Sequence, residues 1–196
     1  MLEIADLILV PGEGLRRYLE DLGLQAKVRV LRPTVDLHRF NGPSKETMIF
    51  PRYFTLPPNA KTVIATGSYA DKKSLNFIKN VAKACPKIEF YYFGVFPKRD
   101  HLGLSRAVSL VKKPNNLHLL RTVQDDIYRS GILNCIAYIS NDSMRPDAIR
   151  PLEAFAAKTQ VVVIGPEREG TENLLLREKE TCFYFKTPEE MAEYLL

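Results

Sequence analysis

Short apolar segments alternate with helical patterns along most of this 196-residue chain. Runs rich in β-branched and aromatic residues, such as residues 62–66, 88–93 and 161–164, are each followed by a segment with helical spacing. Strands that alternate with helices favour βαβ units, in which a parallel sheet carries helices on both faces. We therefore predict a doubly wound, Rossmann-like α/β fold that binds its ligands at the carboxyl ends of the strands.

The pattern also predicts where the individual elements lie. We expect strands at residues 5–11, 28–31, 62–66, 88–93, 117–120, 135–139, 161–164 and 182–185. We expect helices at residues 14–22, 71–84 and 172–177, and others that begin near residues 124, 147 and 188. Prolines interrupt residues 32–58, which we interpret as a linker.

Composition limits the class of protein. The net charge of +5 suits an anionic ligand or a membrane surface, but many ordinary enzymes are as basic, and we expect no nucleic-acid partner. No apolar run approaches the roughly 20 residues that span a membrane, and we expect no secretory signal. Cys85, Cys135 and Cys182 lack metal-binding spacing, so we expect reduced, buried thiols and a cytoplasmic protein.

Arg150 and Glu153 lie a turn apart at the start of a predicted helix. A cation beside a helix N-terminus suits a phosphate group, and a carboxylate can accept hydrogen bonds from a ribose diol. The alternative is an i,i+3 ion pair on a helix surface, which is common. Arg145, in the loop before this helix, either adds positive charge to the site or is simply solvated.

Gly67 follows the strand at residues 62–66 and precedes two lysines that open a helix. A glycine there lets the backbone approach a ligand, and Lys72 or Lys73 can reach a phosphate. The GxxxxGK[ST] and GxGxxG motifs are both absent. The alternative is an exposed lysine pair with a glycine that serves only the turn.

Residues 95–114 carry many cations and could form an amphipathic insertion that contacts anionic lipid peripherally or a charged acceptor. The alternative is a solvated surface helix. The histidines are isolated, and neither a metal motif nor a Ser-His-Asp arrangement is visible.

Four segments in order give the chain a resemblance to one family. They are residues 5–10 (ADLILV), 67–73 (GSYADKK), 116–121 (NLHLLR) and 152–161 (LEAFAAKTQV). Together they resemble the C-terminal nucleotide-sugar-binding domain of GT-B glycosyltransferases of the family 4 type. The resemblance runs over nearly the whole chain.

The chain departs from the family pattern at three places. Arg145 stands where the first glutamate of the E-x7-E motif is expected, and Pro146-Asp147-Ala148 replaces a Gly-Phe-Gly segment. Ser68 stands where the family has an arginine that faces the diphosphate. In a further feature the chain is similar to GT-B enzymes of the xanthan glucuronosyltransferase and teichuronic acid type. Those enzymes place a Lys or Arg three residues before the ribose-binding Glu or Gln, as Arg150 and Glu153 are placed here.

The resemblance implies roles for particular residues. Arg150 would hold the diphosphate, Glu153 the ribose, and the backbone around Arg121 and Val123 the base. The remaining candidates for nucleotide-sugar binding are Gly67, Ser68, Lys73 and Arg145. Such enzymes need no metal, because protein cations and helix N-termini neutralise the leaving diphosphate.

The resemblance also implies a domain organisation. Residues 1–42 would form the end of an N-terminal domain and the interdomain linker, and residues 43–196 the donor-binding domain. We expect either a fragment or a donor half that works with a partner subunit, in both cases inactive alone. The parent enzyme would transfer a sugar from a nucleoside-diphosphate sugar to a glycan or lipid-linked acceptor, as in polysaccharide biosynthesis. The alternative is a degenerate GT-B domain that serves as a non-catalytic scaffold.

Overall fold

The computed structural model of the protein describes residues 5–24, 27–40, 48–95, 112–121, 123–140, 149–165 and 179–196. Its strands are β1 (Ile8–Val10), β2 (Val28–Val30), β3 (Lys61–Ser68), β4 (Ile88–Val95), β5 (Leu117–Leu120), β6 (Ala137–Ser140), β7 (Gln160–Ile164) and β8 (Cys182–Phe185). Its α-helices are α1 (Glu13–Leu19), α2 (Ile49–Tyr53), α3 (Lys72–Ala84), α4 (Asp125–Asn134), α5 (Ile149–Ala156) and α6 (Pro188–Leu195). A π-helical segment, Glu20–Leu24, continues α1, and Leu37–Phe40 forms a 3₁₀ helix.

Strands β3 to β8 form one sheet in the order β5-β4-β3-β6-β7-β8, and every neighbouring pair is parallel. This order confirms the predicted doubly wound fold. The direction of winding reverses between β3 and β6, which makes these two strands the topological switch point. Ser68 and Ser140 end the two strands, so the crevice where such sheets bind ligands lies just beyond them.

Helices cover both faces of this sheet, because alternate residues of each strand point to opposite sides. On β3, Val63 and Ala65 join a buried cluster with α3 and α6. Ile64, between them, joins a second buried cluster with α2, α4 and α5. The helices that bear the candidate site, α4 and α5, therefore share one face of the sheet.

Buried polar groups fix the ends of the elements. Asp71 caps the first turn of α3 by accepting a hydrogen bond from the Ser74 N–H. At the other end, Nδ2 of the buried Asn116 lies 2.8–2.9 Å from three carbonyl oxygens around the end of α3 and the start of β4. The carbonyls of Ala82 and Cys85 also accept backbone N–H groups, so the asparagine adds a second partner to each of them at the end of the helix.

The proline-rich linker contains more regular structure than we predicted. Residues 49–53 form α2, whose Phe50 is fully buried and donates its N–H to Ser130 Oγ at 2.9 Å. Pro51 lies in the first turn, where a helix tolerates proline because the N–H there needs no helical partner. The expectation of an irregular linker is therefore wrong for this segment.

A smaller core belongs to the first part of the chain. Val10, Leu19 and Val28 bury one face of the two-stranded sheet against α1. Gly23 interrupts the π-helical segment with φ of 84°, a conformation that favours glycine. Phe40, by contrast, packs in the second cluster of the main sheet. The division between residues 1–42 and 43–196 stays a prediction.

The three cysteines are free and buried, as predicted. No helix within the described ranges is long and apolar enough to cross a membrane. The helix predicted at residues 172–177 and most of the basic segment 95–114 lie outside the described residues.

Candidate functional site

The predicted site residues gather along the carboxyl edge of the main sheet. Gly67 and Ser68 end β3, and Arg121 directly follows β5. Arg150 and Glu153 lie in α5, which follows β6. Neighbouring strands are about 4.8 Å apart, so β5 and β6, which are three positions from each other in the sheet, lie roughly 14 Å apart.

Arg150 and Glu153 form an ion pair with an unusual division of burial. Arg150 Nη1 donates to Glu153 Oε2 at 2.8 Å. The arginine side chain is 44% exposed, whereas the glutamate side chain is 8% exposed. The i,i+3 ion pair that the alternative interpretation predicted is therefore present. It differs from a surface pair because the arginine covers a buried carboxylate.

Tyr128, in the first turn of α4, is a second partner of the arginine. The Arg150 Cζ atom lies 4.6 Å from the centroid of the Tyr128 ring, which is a cation–π contact. Burial raises the pKa of the Tyr128 hydroxyl well above its ordinary value, so the ring stays neutral. Burial lowers the pKa of Arg150, but the hydrogen bond to Glu153 and the negative charge of that carboxylate raise it, so the guanidinium stays charged.

Gly67 has a packing role within the protein. A Cβ atom at this position would lie 2.4 Å from the Tyr92 hydroxyl. That hydroxyl donates a hydrogen bond to the Ser68 carbonyl at 3.2 Å. The small size of Gly67 is therefore explained by Tyr92, and close approach of a ligand to its backbone stays a prediction.

Other tyrosines also line this edge, and the sequence analysis did not single them out. Tyr69 is buried over Gly94 and donates to the Leu120 carbonyl at 2.5 Å, which ties the β3–α3 loop to the end of β5. The Tyr138 hydroxyl shares a hydrogen bond with Thr66 across the switch point. The detectable signal was the recurrence of tyrosine at or just after the strands.

The remaining candidates differ in their surroundings. Lys73 and Arg121 are exposed. Val123 is half-buried and packs against the second cluster, which leaves its backbone as the group to contact a base. Arg145 lies outside the described residues. All of these roles stay predictions.

No group of three or more His, Cys, Asp or Glu side chains within the described ranges is arranged to hold a metal ion. The Nε2 atom of His118, one of the isolated histidines, lies 2.7 Å from Glu89 Oε2. The imidazole ring stacks on Tyr91 with the ring centroids 4.6 Å apart. The predicted independence from metal stays a prediction.

Comparison with known proteins found a curated glycosyltransferase with a similar sequence. The chain is 26% identical over 163 residues to a processive diacylglycerol alpha-glucosyltransferase of Acholeplasma laidlawii, a match that covers 82% of this chain and 48% of the relative. No family model matches the chain.

Solved structures share the fold at low identity. The Anabaena protein HepE, in complex with UDP-glucose, superposes with a TM-score of 0.74 at 14% identity over 97% of this chain and 53% of that one. The C-terminal domain of the group 1 glycosyl transferase LpcC from Francisella tularensis superposes with a TM-score of 0.59 at 16% identity. This match covers 83% of this chain and 86% of that domain.

The chain therefore has the fold of the C-terminal domain of GT-B glycosyltransferases, as the sequence resemblance implied. It spans about half the length of the curated relative and of HepE.

Proposed function

We propose that this chain is the donor-binding domain of a GT-B glycosyltransferase and binds a nucleoside-diphosphate sugar at the carboxyl edge of its sheet. The observation that carries the proposal is the Arg150–Glu153 pair, which lies at the first turn of the helix after β6, beside the switch point. Doubly wound sheets bind their ligands at this place. The complete enzyme would transfer the sugar to a glycan or a lipid-linked acceptor.

Arg150 has the chemistry to hold a diphosphate. A guanidinium offers five N–H donors in a fixed plane, and the ion pair with Glu153 uses one of its nitrogens. The remaining donors match phosphate oxygens, and charge-assisted bonds of this kind are short and strong. Arg150 would thereby stabilise the negative charge that grows on the diphosphate as the bond between its oxygen and the anomeric carbon of the sugar breaks.

Glu153 would accept hydrogen bonds from the ribose diol. Its carboxylate is fixed by burial and by the bond to Arg150, so little side-chain freedom remains to be lost on binding. Protein cations then supply the positive charge at the diphosphate, and we propose that no metal ion is needed.

The relatives suggest which donor to test first. HepE is solved with UDP-glucose, and the Acholeplasma relative is named as a glucosyltransferase that acts on diacylglycerol. We propose UDP-glucose as the first candidate donor.

Isothermal titration of the 196-residue chain with UDP-glucose, UDP, GDP, ADP and uridine tests the proposal. We expect one nucleoside diphosphate to bind and Arg150→Ala to weaken it by at least tenfold, with uridine unchanged because it carries no charge to lose. Arg16→Ala is the control, since Arg16 is 37% exposed and pairs with Glu13 and Glu20 in the first part of the chain, outside the main sheet. Titration in EDTA should give the same affinity.

The same titration distinguishes the donor-binding domain from the alternative, a non-catalytic scaffold. Two observations favour that alternative: Arg150 and Glu153 neutralise each other, and Tyr92 closes the space above Gly67. A folded sample that binds none of these nucleotides would refute donor binding and leave the scaffold as the better hypothesis.

A further inference from the structure

Tyr128 is buried in a way that ordinary core packing does not explain. Its side chain belongs to the second cluster, and the residue is 7% exposed. Its hydroxyl is buried and makes no hydrogen bond of ordinary geometry within the described residues, although the nearby Arg150 guanidinium lowers the pKa of that hydroxyl by its charge and by a polar contact. A phenylalanine would fill the same space without an orphaned polar group. The tyrosine is therefore poorly accounted for by stability alone.

The surroundings of Tyr128 point to the arginine instead. Arg150 lies over the face of the ring at 4.6 Å, and Glu153 holds the same guanidinium at 2.8 Å. Two different elements thus restrain one side chain, α4 through the ring and α5 through the carboxylate. Arg150 is nearly half exposed, and a long exposed side chain restrained at only one point retains much rotamer freedom.

We propose that Tyr128 is a positioning residue for diphosphate binding, whose ring face holds the Arg150 guanidinium so that its unused N–H donors face the ligand crevice. The proposal rests on the donor-binding function proposed above. The ring pre-organises the arginine, so less side-chain entropy is lost when the diphosphate binds. This role belongs to the face of the ring and does not require the hydroxyl.

Two substitutions separate the ring from the hydroxyl. Tyr128→Phe keeps the aromatic face and removes the hydroxyl, so we expect UDP affinity within about twofold of the unchanged protein, since either ring can hold a cation. Tyr128→Leu removes the ring, and we expect UDP affinity to fall by about fivefold to tenfold, in line with the loss of a partly desolvated cation–π contact. Uridine affinity should not change in either variant.

A third measurement tests whether Tyr128 acts through the arginine. In an Arg150→Ala background, Tyr128→Leu should weaken UDP no further, because the group that the ring holds is gone. Tyr91→Leu is the control for the loss of a buried ring from the same cluster, and it should leave the ratio of UDP to uridine affinity unchanged. If Tyr128→Leu does not fold, as judged by circular dichroism, Tyr128→Met replaces it.

The outcomes also distinguish this proposal from the proposed function. If the unchanged chain does not bind UDP or another nucleoside diphosphate, the donor-binding function fails. If it binds and Arg150→Ala weakens binding while Tyr128→Leu does not, only the role of Tyr128 is refuted. Equal losses in the Phe and Leu variants would likewise overturn the proposal, since they would assign the effect to the hydroxyl.

Discussion

Removing Arg150 should destabilise the protein chiefly through the carboxylate that it leaves behind. Glu153 is 8% exposed, and Arg150 is the partner that the described residues provide for its carboxylate. Arginine at this position is itself 44% exposed, so its own loss removes little buried surface. The Arg150→Ala variant would keep a buried negative charge with its ionic partner gone.

The burial sets the expected size of this effect. Breaking a fully buried ion pair from one side costs about 3–5 kcal/mol, and we take about 2 kcal/mol here because the pair reaches the surface. The lost contact with the Tyr128 ring adds about 0.5–1 kcal/mol. The free energy of unfolding of Arg150→Ala should therefore fall by about 3 kcal/mol.

A second substitution should reverse most of this loss. Glu153→Gln in the Arg150→Ala background removes the uncompensated charge at nearly constant volume, so the double variant should regain about 2 kcal/mol. The same change in the unaltered chain should cost about 1 kcal/mol, because there it weakens a charge-assisted hydrogen bond. The sign of the effect of Glu153→Gln thus depends on whether Arg150 is present.

Urea unfolding followed by circular dichroism measures all four proteins of this cycle. Arg39→Ala is the matched control, because Arg39 is as exposed as Arg150 but its partner Asp125 is 63% exposed. That variant should stay within about 0.5 kcal/mol of the unchanged chain. Additive losses in the cycle, with the double variant less stable than Arg150→Ala, would refute the buried-charge explanation.

Two further predictions concern packing and titration. Gly94→Ala should lower the free energy of unfolding by about 1–3 kcal/mol, because its Cβ would lie 2.3 Å from the Tyr69 ring. Gly14→Ala, with open space around the new Cβ, should be neutral or slightly stabilising in the same urea unfolding experiment. Burial raises the pKa of the Cys135 thiol from 9.0 to about 12. The native thiol should therefore resist iodoacetamide at pH 8 until urea unfolds the chain. The contribution of this residue to stability should be intact below pH 9 and should be lost as the pH rises towards 12. Alkylation of the native protein at the rate of a free thiol would contradict the burial of Cys135.

The fold was predictable because its signals are local and repeated. Each strand of the main sheet is a short apolar run, and two of the helices begin at a capping residue, Asp71 before α3 and Thr187 in the capping box of α6. The segment at residues 49–53 was missed because its helix depends on tertiary contact. Phe50 lies against Ser130 and Gly131, about 80 positions away, and no local pattern reports such a partner.

The site was predictable only in part. Spacing placed Arg150 and Glu153 on one side of a helix, and the order of the elements along the chain placed that helix after the carboxyl end of a strand. Burial of the carboxylate and the ring of Tyr128 beneath the arginine could not be predicted, since both depend on how α4 packs beside α5. Gly67 shows the opposite error, because a glycine that packs against Tyr92 has the same sequence signal as one that faces a ligand.

The energetics of the Arg150–Glu153 pair bear on the choice between a donor-binding domain and a scaffold. Buried or half-buried ion pairs are weak stabilisers, and apolar residues of similar volume often replace them with no loss of stability. The stability of a scaffold would therefore gain little from a carboxylate that is 8% exposed, a charged arginine above it and a tyrosine with a buried hydroxyl below. Ligand binding would gain from these groups, because a pre-organised cation and a hydrogen-bond acceptor at a switch point match a diphosphate and a ribose. On this argument, replacing the pair by Leu and Met should leave the fold at least as stable while nucleotide binding is lost, and only a donor-binding domain predicts both results together.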